Sequence, residues 1–290
     1  MIHNSFSFVF FGTPEPAVEI LEALNAAGYA PALIVTNPDK PKERNLKLAP
    51  SPVKVWAVNH CIPVLQPRIL TDLDFLYKLK AKSYQLFIVV AYGAILPKEL
   101  LQIPRRGALN VHYSLLPKYR GASPVEFQIL ADDRETGVSI LLLDEEMDHG
   151  GIVARKAVSV SPWPPTAPEL RKKYNEAAGK LLVEILPAWI AGSIQVKPQD
   201  HARATYTRKI KPEDRLVRLE DNARSNYLKI QACAAWGTYF FAGREGALSF
   251  PKIRVRIKSA EFKDGKLLIT RVVPEGKREM DYDDFLRGLR

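Results

Sequence analysis

The chain has 290 residues, 47% hydrophobic and 26% charged, the balance of a globular protein with room for two domains and not of a disordered or collagen-like chain. Lys and Arg exceed Asp and Glu by 42 to 32, and the net charge of +10 is uneven, +2 over residues 1–190 and +8 over residues 191–290, which points to a polyanionic partner held mainly by the second part. The longest mainly apolar stretch, Leu86 to Leu96, is too short to span a membrane, the first residues lack the basic start and cleavage site of a secretory signal, and Cys61 and Cys233 have no disulfide-framework or zinc spacing, so a cytoplasmic protein is expected.

Strands and helices alternate through the first part. Phe6–Phe11 is an apolar strand, followed by Pro14-Glu15-Pro16 and by Ala17, Ile20, Leu21 and Leu24 at helical spacing up to Gly28. Ala32–Val35 repeats the strand signal, Pro52–His60 and Asp72–Lys82 read as helices, and Leu86–Val90 is a buried strand. A short helical Pro97–Ile103 and a strand at Ala108–His112 complete a pattern that predicts a parallel sheet covered by helices on both faces. From Thr136 the pattern changes. Gly137–Leu143 and Ile152–Val160 read as antiparallel edge strands, and Pro168–Ala191 as a long amphipathic helix with Leu170, Tyr174, Ala178, Leu181, Ile185 and Trp189 on one stripe.

The polar, aperiodic segment 193–211 reads as a linker between domains 1–192 and 212–290. Beyond it come a helical Asp221–Ala235 and strands at Thr238–Ala242, Ile253–Phe262 and Lys266–Val273, which predict a small antiparallel barrel. In Ile253-Arg254-Val255-Arg256-Ile257-Lys258 the period of two puts three cations on one face, a stripe that suits backbone phosphates.

Four places bear on the chemistry. Gly12-Thr13-Pro14 follows the first strand but lacks the GxGxxG fingerprint and the acidic residue of a dinucleotide site, so it reads as a tight turn. Asn110 and His112 end a central strand two residues apart and therefore project on one face, at the end of the sheet where open α/β folds bind ligands. Asp144, Glu145, Glu146 and Asp148 crowd a short loop after a later strand. Thr36–Pro52 is a long insertion with Lys40, Lys42, Arg44 and Lys47 against Asp39 and Glu43.

In their order along the chain, Phe11-Gly12-Thr13-Pro14, Pro50-Ser51-Pro52-Val53-Lys54, Val89 through Pro97, Asn110 through Pro124, Thr136-Gly137-Val138-Ser139-Ile140 and Met147-Asp148-His149-Gly150 resemble the methionyl-tRNA formyltransferase family over about residues 6–190. That resemblance implies an α/β, Rossmann-like formyltransferase domain followed by a small OB-like β-barrel, with catalytic side chains at Asn110, His112 and Asp148. It implies transfer of a formyl group from 10-formyltetrahydrofolate to the α-amine of initiator methionyl-tRNA by a monomer without a metal. The folate site implied comprises Tyr92, Gly93, Ile95, Leu96, Pro97, Ser114, Leu115, Leu116, Pro117, Leu143 and Met147. The tRNA contacts implied are Lys40, Lys42, Arg44 and Lys47 in the insertion, Lys209 and Lys211 at the end of the linker, and Arg254, Arg256 and Lys258 in the second domain.

The residue types suit this chemistry. Histidine exchanges protons near neutral pH, an Asn amide can donate to an oxyanion, and a carboxylate beside imidazole fixes its orientation. The chain departs from the family where Glu43 and Asn45 flank Arg44, where Leu216-Val217-Arg218 follows the acidic pair, and at Ala235-Trp236-Gly237. Two other readings stay open at this point: an N-formyltransferase acting on an amino sugar nucleotide or another small amine, and a non-catalytic RNA-binding protein on the same fold.

Overall fold

The computed structural model describes residues 6–42, 47–243 and 253–289. In chain order its elements are β1 (Phe8–Gly12), α1 (Glu15–Ala26), β2 (Leu33–Val35), β3 (Lys40–Lys42), β4 (Lys47–Ala49), α2 (Pro52–Asn59), β5 (Val64–Leu65), α3 (Leu73–Lys80), β6 (Leu86–Val90), α4 (Lys98–Leu101), β7 (Ala108–His112) and β8 (Arg120–Gly121). They continue with α5 (Pro124–Leu130), β9 (Gly137–Leu142), β10 (Ile152–Ala157), α6 (Ala167–Ala191), β11 (Tyr206–Thr207), α7 (Ala223–Ala232), β12 (Tyr239–Ala242), β13 (Ile253–Lys263), β14 (Lys266–Pro274), β15 (Met280–Asp281) and α8 (Tyr282–Arg287). Two compact units result, one of Met1–Ala122, Glu135–Ser159 and Arg171–Thr207, the other of Ser123–Arg134, Val160–Leu170 and Arg208–Arg290.

The first unit is built on a seven-stranded sheet in the order β10-β9-β7-β6-β1-β2-β5. Its β5, β2, β1, β6 and β7 run parallel, and β9 and β10 add an antiparallel edge. Every residue of β1 and β6 is buried, which is why these strands read as unbroken apolar runs instead of alternating ones. Helix α1 turns Ala17, Ile20, Leu21 and Leu24 inward and starts behind Pro14. Helix α2 starts at Pro52 with Ser51 as its cap, the Ser51 hydroxyl accepting the Lys54 N–H at 3.1 Å. Because β1 lies between β2 and β6, the chain winds away from it in both directions, and the crevice beyond the carboxyl ends of β1, β6 and β7 is the ligand-binding position of such a sheet.

The insertion Thr36–Pro52 is not wholly irregular. It contains the β3–β4 ribbon, with Lys40 opposite Ala49, Pro41 opposite Leu48 and Lys42 opposite Lys47. A strand of Lys-Pro-Lys carries no apolar alternation, so periodicity could not find it, and Pro41 is tolerated because a two-stranded ribbon leaves one edge of each strand free. The predicted helix at Pro97–Ile103 is reduced to the single turn of α4.

The second unit carries a four-stranded antiparallel sheet, β12-β13-β14-β15, of the kind expected for a small barrel. Strands β13 and β14 meet at Asp264-Gly265, both at positive φ, the backbone a two-residue hairpin turn requires. Val217, Phe240, Val255, Ile257, Val272 and Phe285 form its core. On β13 the alternation is as the sequence dictates: Val255 and Ile257 are buried, while Arg254, Arg256 and Lys258 are exposed.

An ion pair in this unit makes a pH-dependent contribution. Arg208 grips Asp214 through two bonds of 2.6 and 2.7 Å, and the Lys211 N–H adds a third at 2.7 Å. The Arg208 guanidinium, assisted by that N–H, lowers the Asp214 carboxyl from 3.8 to about 2. A depressed acid stabilises the fold above its unfolded value and ceases to do so as pH falls through the folded one. The stability difference between the parent chain and Asp214→Asn, measured by urea unfolding, should therefore be about 1 kcal/mol at neutral pH and should vanish as the pH falls from 4 to 2.

Candidate active site

Strand β7 lies between β6 and β9, with Asn110 opposite Val89 on one side and Leu141 on the other. Asn110 and His112 share a face of the strand. The Asn110 side chain is half-buried and has no hydrogen-bond partner among the described residues, so its amide is available to a ligand. His112 is only 5% exposed.

After His112 the chain makes a compact excursion through residues 113–119 and returns as β8. Tyr119, at φ 62°, turns its carbonyl back to accept from His112 Nε2 at 2.9 Å. A carbonyl can only accept, so Nε2 carries hydrogen and the neutral ring keeps its lone pair on Nδ1. Nδ1 faces Asp148 Oδ2 at 3.5 Å. The same carboxylate oxygen accepts the Gly121 N–H at 2.7 Å. Gly121 has φ 113°, and a Cβ there would strike the Thr207 carbonyl, so only glycine lets β8 lie against β11 while aiming its N–H at Asp148. The three implied catalytic side chains thus come from the end of β7 and from the β9–β10 loop.

The other carboxylates of that loop have different partners. Asp144 Oδ2 lies 2.6 Å from His149 Nδ1, and Glu145 pairs with Lys98 at 2.9 Å. The His149 ring stacks on His201 at 4.1 Å between centroids. Among the described residues no group of three or more His, Cys, Asp or Glu is placed to hold a metal ion.

The residues implied for folate fall into two sets. Tyr92 is buried with its ring edge-on to Phe11, its carbonyl accepts from Asn37 Nδ2 at 2.9 Å, and burial pushes its phenol up to about 12. Leu96 and Leu116 are buried in the core, and Ser114 is buried with its hydroxyl donating to the Lys118 carbonyl at 2.6 Å. The Leu116 N–H is taken by the Ser139 hydroxyl and its carbonyl by Arg155. These side chains shape the loops from within. Ile95 and Met147 are exposed, Leu115, Pro117, Pro97 and Leu143 half-buried, and Gly93 at φ 85° has open space where a Cβ would stand. The Lys98–Glu145 pair and the packing of Leu143 against the Leu96 and Leu100 cluster draw the two loops together.

Of the basic residues, Lys40 is exposed, Lys42 and Lys47 are backbone partners in the β3–β4 ribbon, and Arg44, with Glu43 and Asn45, lies outside the described residues. Lys209 and Lys211 are exposed in the second unit. Arg254, Arg256 and Lys258 line one face of β13, where the Arg254 guanidinium sits 4.1 Å from the Tyr239 ring centroid and Phe241 is 49% exposed. The cross-strand pairs Tyr239–Arg256 and Phe241–Arg254 make this face both cationic and aromatic, a feature that sequence reading reduced to its charges. Residues Arg120, Gln199 and Thr205, all close to the His112–Asp148 pair, also escaped it, because no spacing pattern links them.

A depression lined by Leu65, Arg68, Ile69, Phe75 and Lys78 lies beside β5 and includes none of the implied site residues.

The formyl transferase family profile matches residues 6–186. The chain is 46% identical over 206 residues to the methionyl-tRNA formyltransferase of Chloroflexus aggregans, covering 71% of this chain and 66% of that protein. It is 35% identical over 305 residues to the methionyl-tRNA formyltransferase of Moorella thermoacetica, covering 97% and 95%. Among solved structures, an N-formyltransferase from Helicobacter canadensis in complex with folinic acid and dTDP-3-aminofucose superposes with a TM-score of 0.64 at 18% identity, covering 90% of this chain and 98% of that one. At that identity the likeness concerns the fold.

Proposed function

The chain belongs to the methionyl-tRNA formyltransferase family, and from that membership we propose that it transfers the formyl group of 10-formyltetrahydrofolate to the α-amine of initiator methionyl-tRNA. The observation that carries the reading is the convergence of an unengaged Asn110 amide with the buried His112–Asp148 pair at the ligand-binding end of a parallel sheet.

The bound folate supplies a formyl carbon to the attacking amine. As the amine nitrogen forms its new bond it must lose a proton, and His112 Nδ1 is the ring nitrogen left to accept it, since Nε2 is committed to the Tyr119 carbonyl. Asp148 Oδ2 faces that nitrogen, so an imidazolium formed there finds its counter-charge already in place. The Gly121 N–H keeps the carboxylate from turning away. Asn110 donates its amide N–H to the oxygen on which negative charge develops, a contact worth about 3 kcal/mol in comparable sites. The proton on His112 is then delivered to the departing folate nitrogen. The Tyr92–Pro97 and Leu143–Met147 loops fit a flat heterocycle: exposed Ile95 and Met147 offer apolar surface, and Gly93 leaves backbone groups approachable.

For the acceptor, the insertion with Lys40, Lys42, Arg44 and Lys47 reads the end of the tRNA that carries the amino acid. In the second unit, Arg254, Arg256 and Lys258 neutralise phosphates, and Tyr239 and Phe241 offer faces on which an unpaired base can stack.

Each of His112→Ala, Asn110→Ala and Asp148→Ala should lower kcat for formylation by roughly 100-fold or more with thermal unfolding little changed, and the triple variant should lose far less than the product of the three. Near-normal turnover in a folded His112→Ala would remove the proton acceptor from this scheme.

Replacing Arg254, Arg256 and Lys258 together by Ala should raise the tRNA KM, leave kcat at saturation within about twofold, and flatten the log–log salt dependence of tRNA affinity by about 0.7 to 0.9 for each phosphate no longer neutralised. An unchanged slope would mean that β13 does not touch the nucleic acid.

A further inference from the structure

Among the described residues Arg120 is the largest fully buried side chain, 1% exposed, and no carboxylate of theirs lies within ion-pair distance of it. Its guanidinium is held by neutral acceptors instead. Gln199 Oε1 accepts from Nε at 3.2 Å and from Nη2 at 2.8 Å, His201 Nδ1 lies 2.9 Å from Nη2, and the Tyr206 hydroxyl accepts from Nη1 at 3.3 Å. A buried cation without a counter-charge is costly, and a carboxylate would relieve the cost more simply than a glutamine.

What a glutamine adds is its other end. Gln199, itself buried, donates from Nε2 to the carbonyl of Asp148 at 2.8 Å and to that of Gly150 at 2.7 Å. Only one orientation of the amide satisfies all four contacts, oxygen to the guanidinium and NH2 to the two carbonyls. Asp148 sits at φ 52°, in the left-handed region, so the direction of its side chain depends on how this turn is held.

The same short strand touches the histidine. Arg120 stands between Tyr119, whose carbonyl accepts from His112 Nε2, and Gly121, whose N–H donates to Asp148 Oδ2. The residues opposite complete the grip. The Thr205 hydroxyl accepts the Tyr119 N–H at 2.8 Å, the Thr205 carbonyl accepts the Arg120 N–H at 2.8 Å, and the Thr207 hydroxyl donates to the Arg120 carbonyl at 3.2 Å.

We propose that Gln199, coupled to buried Arg120 and backed by Thr205, is a positioning residue for formyl transfer, setting the Asp148 turn and the Tyr119 carbonyl that together aim the His112 imidazole. The inference rests on the catalytic roles given above to His112 and Asp148. It adds three residues that touch no substrate and assigns the segment just before Arg208 a part in the chemistry.

The test is Gln199→Glu in the full-length chain. The carboxylate gives Arg120 the counter-charge it lacks, which favours folding, but it turns an acceptor toward the Asp148 and Gly150 carbonyls and so releases the turn. Unfolding should be unchanged or shifted upward in temperature, kcat should fall about 10- to 100-fold, and KM for folate and for tRNA should each stay within about threefold. Introduced into Asp148→Asn, the same change should cost less than about a further twofold, because the group it positions is already gone. A folded Gln199→Glu with parental kcat overturns the proposal, as does a full multiplicative loss in the Asp148→Asn background. Should Gln199→Glu fail to fold, Thr205→Val decides. It removes an exposed hydroxyl from the Tyr119 side of the grip, and a fall in kcat supports the proposal whereas parental kcat overturns it. Parental kcat in Asp148→Asn itself would instead defeat the assignment of the site, so the two failures are distinguishable.

Discussion

One oxygen atom, Oδ2 of Asp148, organises the site. It accepts the Gly121 N–H and faces His112 Nδ1, and through these two contacts the β9–β10 loop, the end of β7 and β8 are fixed to one another. The ring is held from its other side by the Tyr119 carbonyl. Neither nitrogen of the imidazole is therefore free to choose its role. In the proposed reaction the proton that stays is on Nε2, and the one that comes and goes is on Nδ1. Much of the surrounding sequence can be understood as serving that arrangement: a glycine at 121 because Thr207 leaves no room for a Cβ, and a left-handed Tyr119 because its carbonyl must point backward.

Burial gives this geometry its value. In a nearly dry site, dipoles and charges that do not need to reorganise act more strongly than they would in water. The chain meets the cost by satisfying its buried polar groups. Ser139 accepts the Leu116 N–H and donates to the Ser114 carbonyl, Tyr113 donates to Asn175 at 2.6 Å, and Gln199 uses both ends of its amide. Among the described residues the Thr238 hydroxyl is the one buried side-chain polar atom without a partner, and it belongs to the second unit.

How much could be read from the sequence followed from the range of the physics involved. Strands β6 and β7 were legible to the residue: full burial makes Leu86–Val90 an unbroken apolar run, and Ala108–His112 is a short stretch with apolar Ala108, Leu109 and Val111 that starts behind Gly107. The shared face of Asn110 and His112 follows from a local period of two. That Asp148 meets His112 does not follow from any period, and only the resemblance to a family pointed to it. The β3–β4 ribbon was illegible because Lys40-Pro41-Lys42 has no apolar alternation. Gln199 was invisible for a further reason: its partner Arg120 is 79 residues away, and a polar residue in an aperiodic stretch announces nothing until the chain has folded. The cationic face of β13 could be read from alternation, but not the aromatic rings of β12 set beside it.

The central claim is that this site, with its basic insertion and basic second unit, acts on the amine of a charged tRNA and not on a small free amine. The most direct measurement is kcat/KM for formylation of initiator methionyl-tRNA against that for a free amino sugar nucleotide, both at saturating 10-formyltetrahydrofolate and low salt. The account predicts a preference for the charged tRNA of several orders of magnitude that shrinks as salt is raised, because the phosphate contacts are weakened and the chemistry is not. Equal or better use of the sugar nucleotide would contradict it.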